Sequence, residues 1–104
     1  MATSAARTRE LSKSAQNLPD RTVLIGLFEQ MVLLRRFESV AQIACRKGET
    51  PGFLHLYIGQ EASGVGICAH LRHSDWVTST HRGHGHALAK GADPKRVMGN
   101  SSAR

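Results

Sequence analysis

The segment from Arg21 to Lys47 constrains the fold more than any other part of the chain. Its apolar residues recur at helical spacing and extend over most of the circumference of one long helix. They are Leu24, Leu27, Met31, Leu34, Phe37, Ala41 and Ala44, widened by Val23, Phe28, Val32, Val40 and Ile43. Such a helix must be covered on several sides, and a chain of 104 residues offers little material for that. The pattern therefore predicts a partner chain or an incomplete domain.

Capping and breaking residues set the ends of this helix and of the elements after it. Asp20 is the expected N-cap, and Gly48 is the expected stop. The later elements predicted are a strand-like or irregular segment over 53–58, a helix over 60–71, a strand over 76–79, and short helices over 87–91 and 93–98. In the helix over 60–71 the expected inward residues are Ala62, Val65, Cys68 and Ala69.

The two ends of the chain differ in composition from the part between them. Residues 1–18 are polar, lack an apolar period and predict a flexible tail. Residues 99–104 are rich in helix-breaking residues and predict that the last helix ends at Met98.

Charge and composition argue against several classes of function. The formal net charge of +6 favours anionic partners, but aromatic residues make up only 5% of the chain, which disfavours a nucleic-acid binder that stacks bases. Cys45 and Cys68 lie in apolar helical segments and are expected to be buried free thiols in a reducing compartment. No segment is long and apolar enough to span a membrane, and the first residues lack the apolar region of a signal peptide. We expect a cytoplasmic location.

The run His81-Arg82-Gly83-His84-Gly85-His86 carries most of the chemical information. Glycine lets a ligand approach the backbone closely, and arginine presents a planar fork of donors to phosphate. A strand followed by such a turn and a helix is a favoured place to bind an anion. Metal ligation by the three histidines is the alternative, but no carboxylate or cysteine lies next to them in sequence. The run therefore favours phosphate binding or hydrogen bonding.

A second candidate is His55, which lies in the apolar segment over 52–61. One interpretation is a histidine hydrogen-bonded to neighbouring backbone. The other is an acid/base or hydrogen-bonding group in a partly dry active site. The residue types alone favour the first. At the start of the next helix Glu61 is favourable against the helix dipole, while Arg35 and Arg36 are expected to reach solvent or a partner's carboxylate.

Two motifs, GFLHLYIGQEA over 52–62 and TSTHRGHGHALAKG over 78–91, resemble the α subunit of thiamine-diphosphate-dependent 2-oxo acid dehydrogenase E1 components. The chain is most similar to the acetoin dehydrogenase type, and next to the pyruvate dehydrogenase type. By this resemblance, residues 19–98 form a partial E1 α domain. Residues 99–104 are a C-terminal end that diverges from the family. It implies an α/β fold with a central parallel sheet, of which this portion is mostly helical with one or two short strands.

The resemblance also implies roles for individual residues. It implies that His55 is an active-site histidine near the thiazolium and substrate, and that Arg82 contacts the cofactor's diphosphate. His81 occupies the cofactor-binding position before that arginine, where pyruvate-type members often have tyrosine. Its role is therefore implied less directly than that of Arg82. His84 is implied to order the loop, and Tyr57, Gln60 and Glu61 are implied to be structural or supporting residues.

The family's magnesium and diphosphate motif, which begins Gly-Asp-Gly, does not occur in the 104 residues. The resemblance therefore implies thiamine diphosphate with Mg²⁺ as cofactor, but metal ligands that lie outside this sequence. It implies a β subunit and a lipoyl-bearing E2 enzyme as partners, and acetoin or a 2-oxo acid as substrate. We expect an N-terminal fragment that is inactive alone. The alternatives are a non-catalytic module that docks on E1 subunits through the helix over 21–47 and, with less support, a basic nucleic-acid binder.

Overall fold

The computed structural model describes residues 4–6, 8–9 and 17–102. From residue 17 onward its helices are α1 (Arg21–Arg46), α2 (Glu61–Cys68), α3 (Gly83–Ala89) and α4 (Pro94–Ser102). The predicted tail over 1–18 and the final residues of the segment over 99–104 lie largely outside the described residues. No helix in the described part of the chain combines the length and apolar character needed to cross a membrane.

The prediction that this portion is mostly helical is confirmed, but the prediction of one or two short strands is wrong. Residues 53–56 and 76–80 are irregular, and the described ranges contain no strand. A strand exists through hydrogen bonds to a neighbouring strand, and no described segment pairs with either stretch in that way. Trp76, in the second stretch, is 98% exposed.

Capping explains the helix ends that the sequence predicts well. α1 ends within one residue of its predicted end, where Gly48 has a φ of 74°. The amides of Gly48 and Glu49 donate to the carbonyls of Cys45 and Ala44, both at 3.0 Å, in the pattern of a Schellman motif. At the start of α4, Asp93 Oδ1 accepts hydrogen bonds from the amides of Lys95 at 2.8 Å and Arg96 at 3.2 Å. Asp20 stands at the N-cap of α1 without a side-chain capping bond.

The other boundaries differ from prediction because packing decides them. α2 ends at Cys68 rather than residue 71, and α4 continues through Ser102 rather than ending at Met98. Most important, α3 begins at Gly83 rather than residue 87, so the first part of the basic run precedes the helix and the rest lies inside it. On α2 the buried residues are Glu61, Gly64, Val65 and Cys68, whereas Ala62 and Ala69 are exposed.

A small core joins α1 to the other helices. Its buried members are Leu34, Phe37, Ala41, Tyr57, Val65 and Leu88. The remaining apolar surface of α1 stays outside the core, with Phe28 64% exposed and Val23, Val32, Val40 and Ile43 also exposed. The prediction that this helix has more apolar surface than the described chain covers is confirmed.

Tyr57 fills the space between α2 and α3 and is 1% exposed. Both helices place a glycine against its ring. A Cβ added at Gly64 would lie 2.5 Å from the Tyr57 hydroxyl oxygen, and one added at Gly85 would overlap the ring carbons. The glycines cost helix propensity, and the close approach that they permit accounts for their presence inside helices.

We predict that Gly64→Ala destabilises the chain by about 1–3 kcal/mol, because the added methyl group overpacks the Tyr57 ring. Gly66→Ala on the same helix is the matched control, since a Cβ there has no neighbour within 4 Å. The control should raise the free energy of unfolding by up to about 1 kcal/mol through helix propensity. Urea unfolding followed by circular dichroism measures both changes. Equal effects of the two substitutions would contradict the packing of Tyr57 against Gly64.

Candidate functional site

A cleft of about 570 Å³ opens between α1, the loop over 50–55, α3 and α4. Three of the site residues predicted from sequence line it: His55, His81 and His84. Its other walls include Phe37 and Ala41 of α1 and Val97 and Met98 of α4. The tertiary structure therefore brings the two sequence motifs to one cavity, although 25 residues separate His55 from His81 in the chain.

His55 and His81 contact each other through their rings. The ring centroids lie 4.6 Å apart with an interplanar angle of 78°, an edge-to-face arrangement. Both residues are exposed, and His55 makes no hydrogen bond to a described residue. The expected hydrogen bond to neighbouring backbone is therefore not formed, and the expected burial of His55 is not found in this part of the chain. Its ring nitrogens are available to a ligand in the cleft.

Arg82 occupies the N-cap position of α3, between two residues that line the cleft. Its Nε atom is buried and has no hydrogen-bond partner among the described residues. A buried donor without a partner costs free energy, and an anion at this position would remove that cost. The geometry therefore fits the phosphate-binding interpretation of the basic run.

The three histidines of the basic run have different neighbours. His81 packs on His55, while His84 Nε2 lies 2.6 Å from Glu38 Oε1. The His86 ring packs edge-on to Tyr57, and its Nδ1 lies 2.5 Å from the Ser79 hydroxyl oxygen. Within the described ranges no three histidine, cysteine or acidic side chains are grouped so that they could hold a metal ion.

Glu38 is the residue at the site that sequence reasoning did not identify. It is 0% exposed, and its Oε2 accepts a hydrogen bond from the Tyr57 amide at 3.0 Å. Its position was readable in principle, because it lies on the same helical face as Leu34, Phe37 and Ala41. A lone carboxylate on the buried face of a helix needs polar partners in the core. The partners of this carboxylate are determined by the tertiary structure and not by the local sequence.

Glu61 forms a second carboxylate anchor for the same loop. Its Oε2 accepts a hydrogen bond from the Gly59 amide at 2.9 Å, and its Oε1 forms an ion pair with Arg35 Nε. The hydrogen bond from Arg35 lowers the pKa of Glu61. Arg35 and Arg36 are both exposed, as expected, and Arg35 also pairs with a carboxylate of its own chain.

Tyr57, Gln60 and Glu61 are not among the residues that line the cleft. The Gln60 amide donates to the Tyr57 carbonyl at 3.0 Å, and burial raises the pKa of the Tyr57 phenol. These contacts fit the supporting roles expected for the three residues.

Comparisons with known proteins support the resemblance seen in the two motifs. The family model described as "Dehydrogenase E1 component" matches residues 29–104. The acetoin:2,6-dichlorophenolindophenol oxidoreductase α subunit of Cupriavidus necator is 45% identical over 88% of this chain and 28% of its own length. The Bacillus subtilis protein of the same name is 51% identical over 71% of this chain and 22% of its own. The pyruvate dehydrogenase E1 α subunit of Zymomonas mobilis is 44% identical over 82% of this chain and 24% of its own length.

The chain thus spans about a quarter of the length of these curated relatives. No solved structure matches it. The predicted resemblance to E1 α subunits is confirmed by the family model and by the relatives.

The Glu61 anchor gives a pH-dependent prediction. Because the folded-state pKa of Glu61 lies below its ordinary value of 4.5, the stabilisation is present above that value and is lost as the pH falls through the folded-state pKa. Glu61→Gln should lower the free energy of unfolding by on the order of 1 kcal/mol at neutral pH, and by less in acid. Urea unfolding at neutral and acidic pH measures the difference.

Glu29→Gln is the matched control for this prediction, because Glu29 is an exposed residue of α1. Its substitution should change the free energy of unfolding by less than about 0.5 kcal/mol. A Glu61→Gln effect that stays constant from neutral to acidic pH would show that the charge of Glu61 does not stabilise the fold.

Proposed function

The chain belongs to the dehydrogenase E1 component family, and we propose that it is an N-terminal portion of an E1 α subunit that binds the diphosphate of thiamine diphosphate. One observation carries the proposal: two motifs distant in sequence place His55 and His81 in ring contact at one cleft. Arg82 follows His81, and its buried Nε atom has no hydrogen-bond partner among the described residues. In the complete enzyme, a β subunit and a lipoyl-bearing E2 would be the partners. The reaction would be cleavage of acetoin or decarboxylation of a 2-oxo acid, with acyl transfer to lipoamide.

The relatives favour the acetoin type. The two relatives named for acetoin are 45% and 51% identical to this chain, and the first pyruvate dehydrogenase relative is 44% identical. His81 is in keeping with this type, because pyruvate-type members often have tyrosine at the corresponding position. We therefore propose acetoin as the first substrate to test and a 2-oxo acid as the second.

The residues present fit the diphosphate group better than its metal. The buried Arg82 Nε atom lacks a partner and can donate to a phosphate oxygen. The described residues supply no set of Mg²⁺ ligands, and Gly-Asp-Gly is absent from the sequence. Thiamine diphosphate, when bound, supplies the electron sink for the carbonyl chemistry.

The side chains at the cleft would bind and orient the ligand. Arg82 would neutralise diphosphate charge, and His81 would fix the ring of His55 by packing against its edge. His55, whose ring has no hydrogen-bond partner among the described residues, would hold or transfer a proton at a ring nitrogen. We propose that the chain alone is inactive, because Mg²⁺ ordinarily neutralises the diphosphate.

Binding of inorganic pyrophosphate tests the diphosphate site without requiring activity. We expect pyrophosphate to perturb the NMR resonances of residues 81–84, and Arg82→Gln to weaken its binding about tenfold through loss of a charge-assisted hydrogen bond. Arg21→Gln, at the N-terminal end of α1 and exposed, makes the same change in net charge and should leave binding unchanged. If both variants weakened pyrophosphate binding equally, the binding would be nonspecific electrostatic attraction and the proposed site would be wrong.

Calorimetry with Mg²⁺ and thiamine diphosphate completes that experiment. We propose that the chain alone does not bind thiamine diphosphate tightly, for want of metal ligands, and saturable binding at micromolar concentration would contradict this.

A non-catalytic docking module is the second candidate. The observation in its favour is the apolar outer face of α1, formed by Val23, Phe28, Val32, Val40 and Ile43, which the described residues leave exposed. Under this candidate the chain docks on E1 subunits through that face, and by itself it should associate with further copies. Size-exclusion chromatography with light scattering measures this. A monomer that melts cooperatively would argue against the docking role.

The cellular location of the protein and the less supported function of nucleic-acid binding are still predictions. We propose a cytoplasmic protein that binds neither membranes nor nucleic acid. Salt-sensitive binding to DNA or RNA would contradict this, since phosphate contacts make affinity fall steeply with salt.

A further inference from the structure

Glu38 connects three segments of the chain at one buried point. It belongs to the middle of α1, accepts the amide hydrogen of Tyr57 at 3.0 Å, and lies 2.6 Å from His84 of α3. Tyr57 is two residues from His55, and His84 is two residues from Arg82. The carboxylate therefore contacts the loop that carries one proposed site residue and the helix next to another.

The two nitrogens of the His84 ring are in different environments. Nε2 is buried 2.6 Å from Glu38 Oε1, close enough for an ion pair. The two atoms are not aligned as a hydrogen bond, and neither has a hydrogen-bond partner among the described residues. The Nδ1 atom makes no hydrogen bond in the described part of the chain, and the residue lines the cleft. The Phe37 ring lies beside the imidazole, with centroids 6.2 Å apart and the planes tilted by 33°.

An ionised carboxylate can only accept hydrogen bonds, whereas neutral imidazole has one donor and one acceptor nitrogen. A carboxylate against Nε2 therefore favours the proton on Nε2 and leaves the Nδ1 lone pair for the cleft. The same logic applies where a carboxylate behind a metal-bound histidine fixes its tautomer and orientation.

We propose that Glu38 is a positioning residue that fixes the tautomer and orientation of His84, so that Nδ1 of His84 presents an acceptor to a ligand donor in the cleft. The inference deepens the proposed function, since the ligand is the one assigned to that cleft, but the contact between Glu38 and His84 is independent of any ligand. A merely structural glutamate would serve only to accept the Tyr57 amide hydrogen. The amide oxygen of glutamine could do this equally well.

The test is ¹⁵N NMR of the histidine ring nitrogens in the whole chain at about pH 8, where ordinary imidazole is mostly neutral. In the unsubstituted protein, the ratio of Nε2–H to Nδ1–H forms at His84 should exceed that at the exposed His70 about tenfold, the worth of a hydrogen bond to a charged group. A ratio equal to that of His70 overturns the proposal, and this comparison requires no variant.

Glu38→Gln separates the tautomer role from a structural one. Its amide group can donate to Nε2 while its oxygen keeps the Tyr57 bond, so the ratio at His84 should fall about tenfold. The ratio at His70 should stay constant as the internal control. An unchanged ratio at His84 in the folded variant overturns the proposal. Failure of pyrophosphate to bind would contradict the proposed function. It would not contradict the proposed role of Glu38, because the measurement on the His84 ring uses no ligand.

Discussion

The packing of Tyr57 against glycine backbones brings α2 and α3 together. Its ring lies where Gly64 of α2 and Gly85 of α3 allow close approach, and the His86 ring meets it edge-on with centroids 5.1 Å apart. The cleft depends on this contact, because α3 positions His84 and the segment before α3 positions His81. One buried aromatic residue thus connects the first motif to the second.

Two carboxylates hold the loop between α1 and α2 in place by accepting hydrogen bonds from its backbone amides. Glu38 accepts the amide hydrogen of Tyr57 and Glu61 accepts that of Gly59, and each also faces a basic or titratable side chain. Buried carboxylates are expensive unless they are paired and hydrogen-bonded. Here that requirement ties the His55 loop to α1 and to α3, so the same groups serve the fold and the site.

The surface of α1 divides into two parts with different consequences. One face enters the core through Leu34, Phe37 and Ala41. The other leaves Phe28, Val32, Val40 and Ile43 exposed. Exposed apolar area on this scale favours association with a further protein surface, which is the physical basis of the docking candidate. Ligand binding at the cleft and docking through the outer face are therefore compatible, since they use different faces of α1.

Local patterns determined much of this protein. The apolar period predicted α1 almost to the residue and the Gly48 stop formed as expected, because both signals are local in sequence. Two motifs identified the family. Only the tertiary structure decided that no strand forms over 76–79, that α3 begins inside the basic run, and that Glu38 lies against His84. Those outcomes depend on partners distant in sequence. A strand needs a neighbour, a glycine in a helix needs the side chain that it accommodates, and a buried carboxylate needs the donors that only folding brings to it.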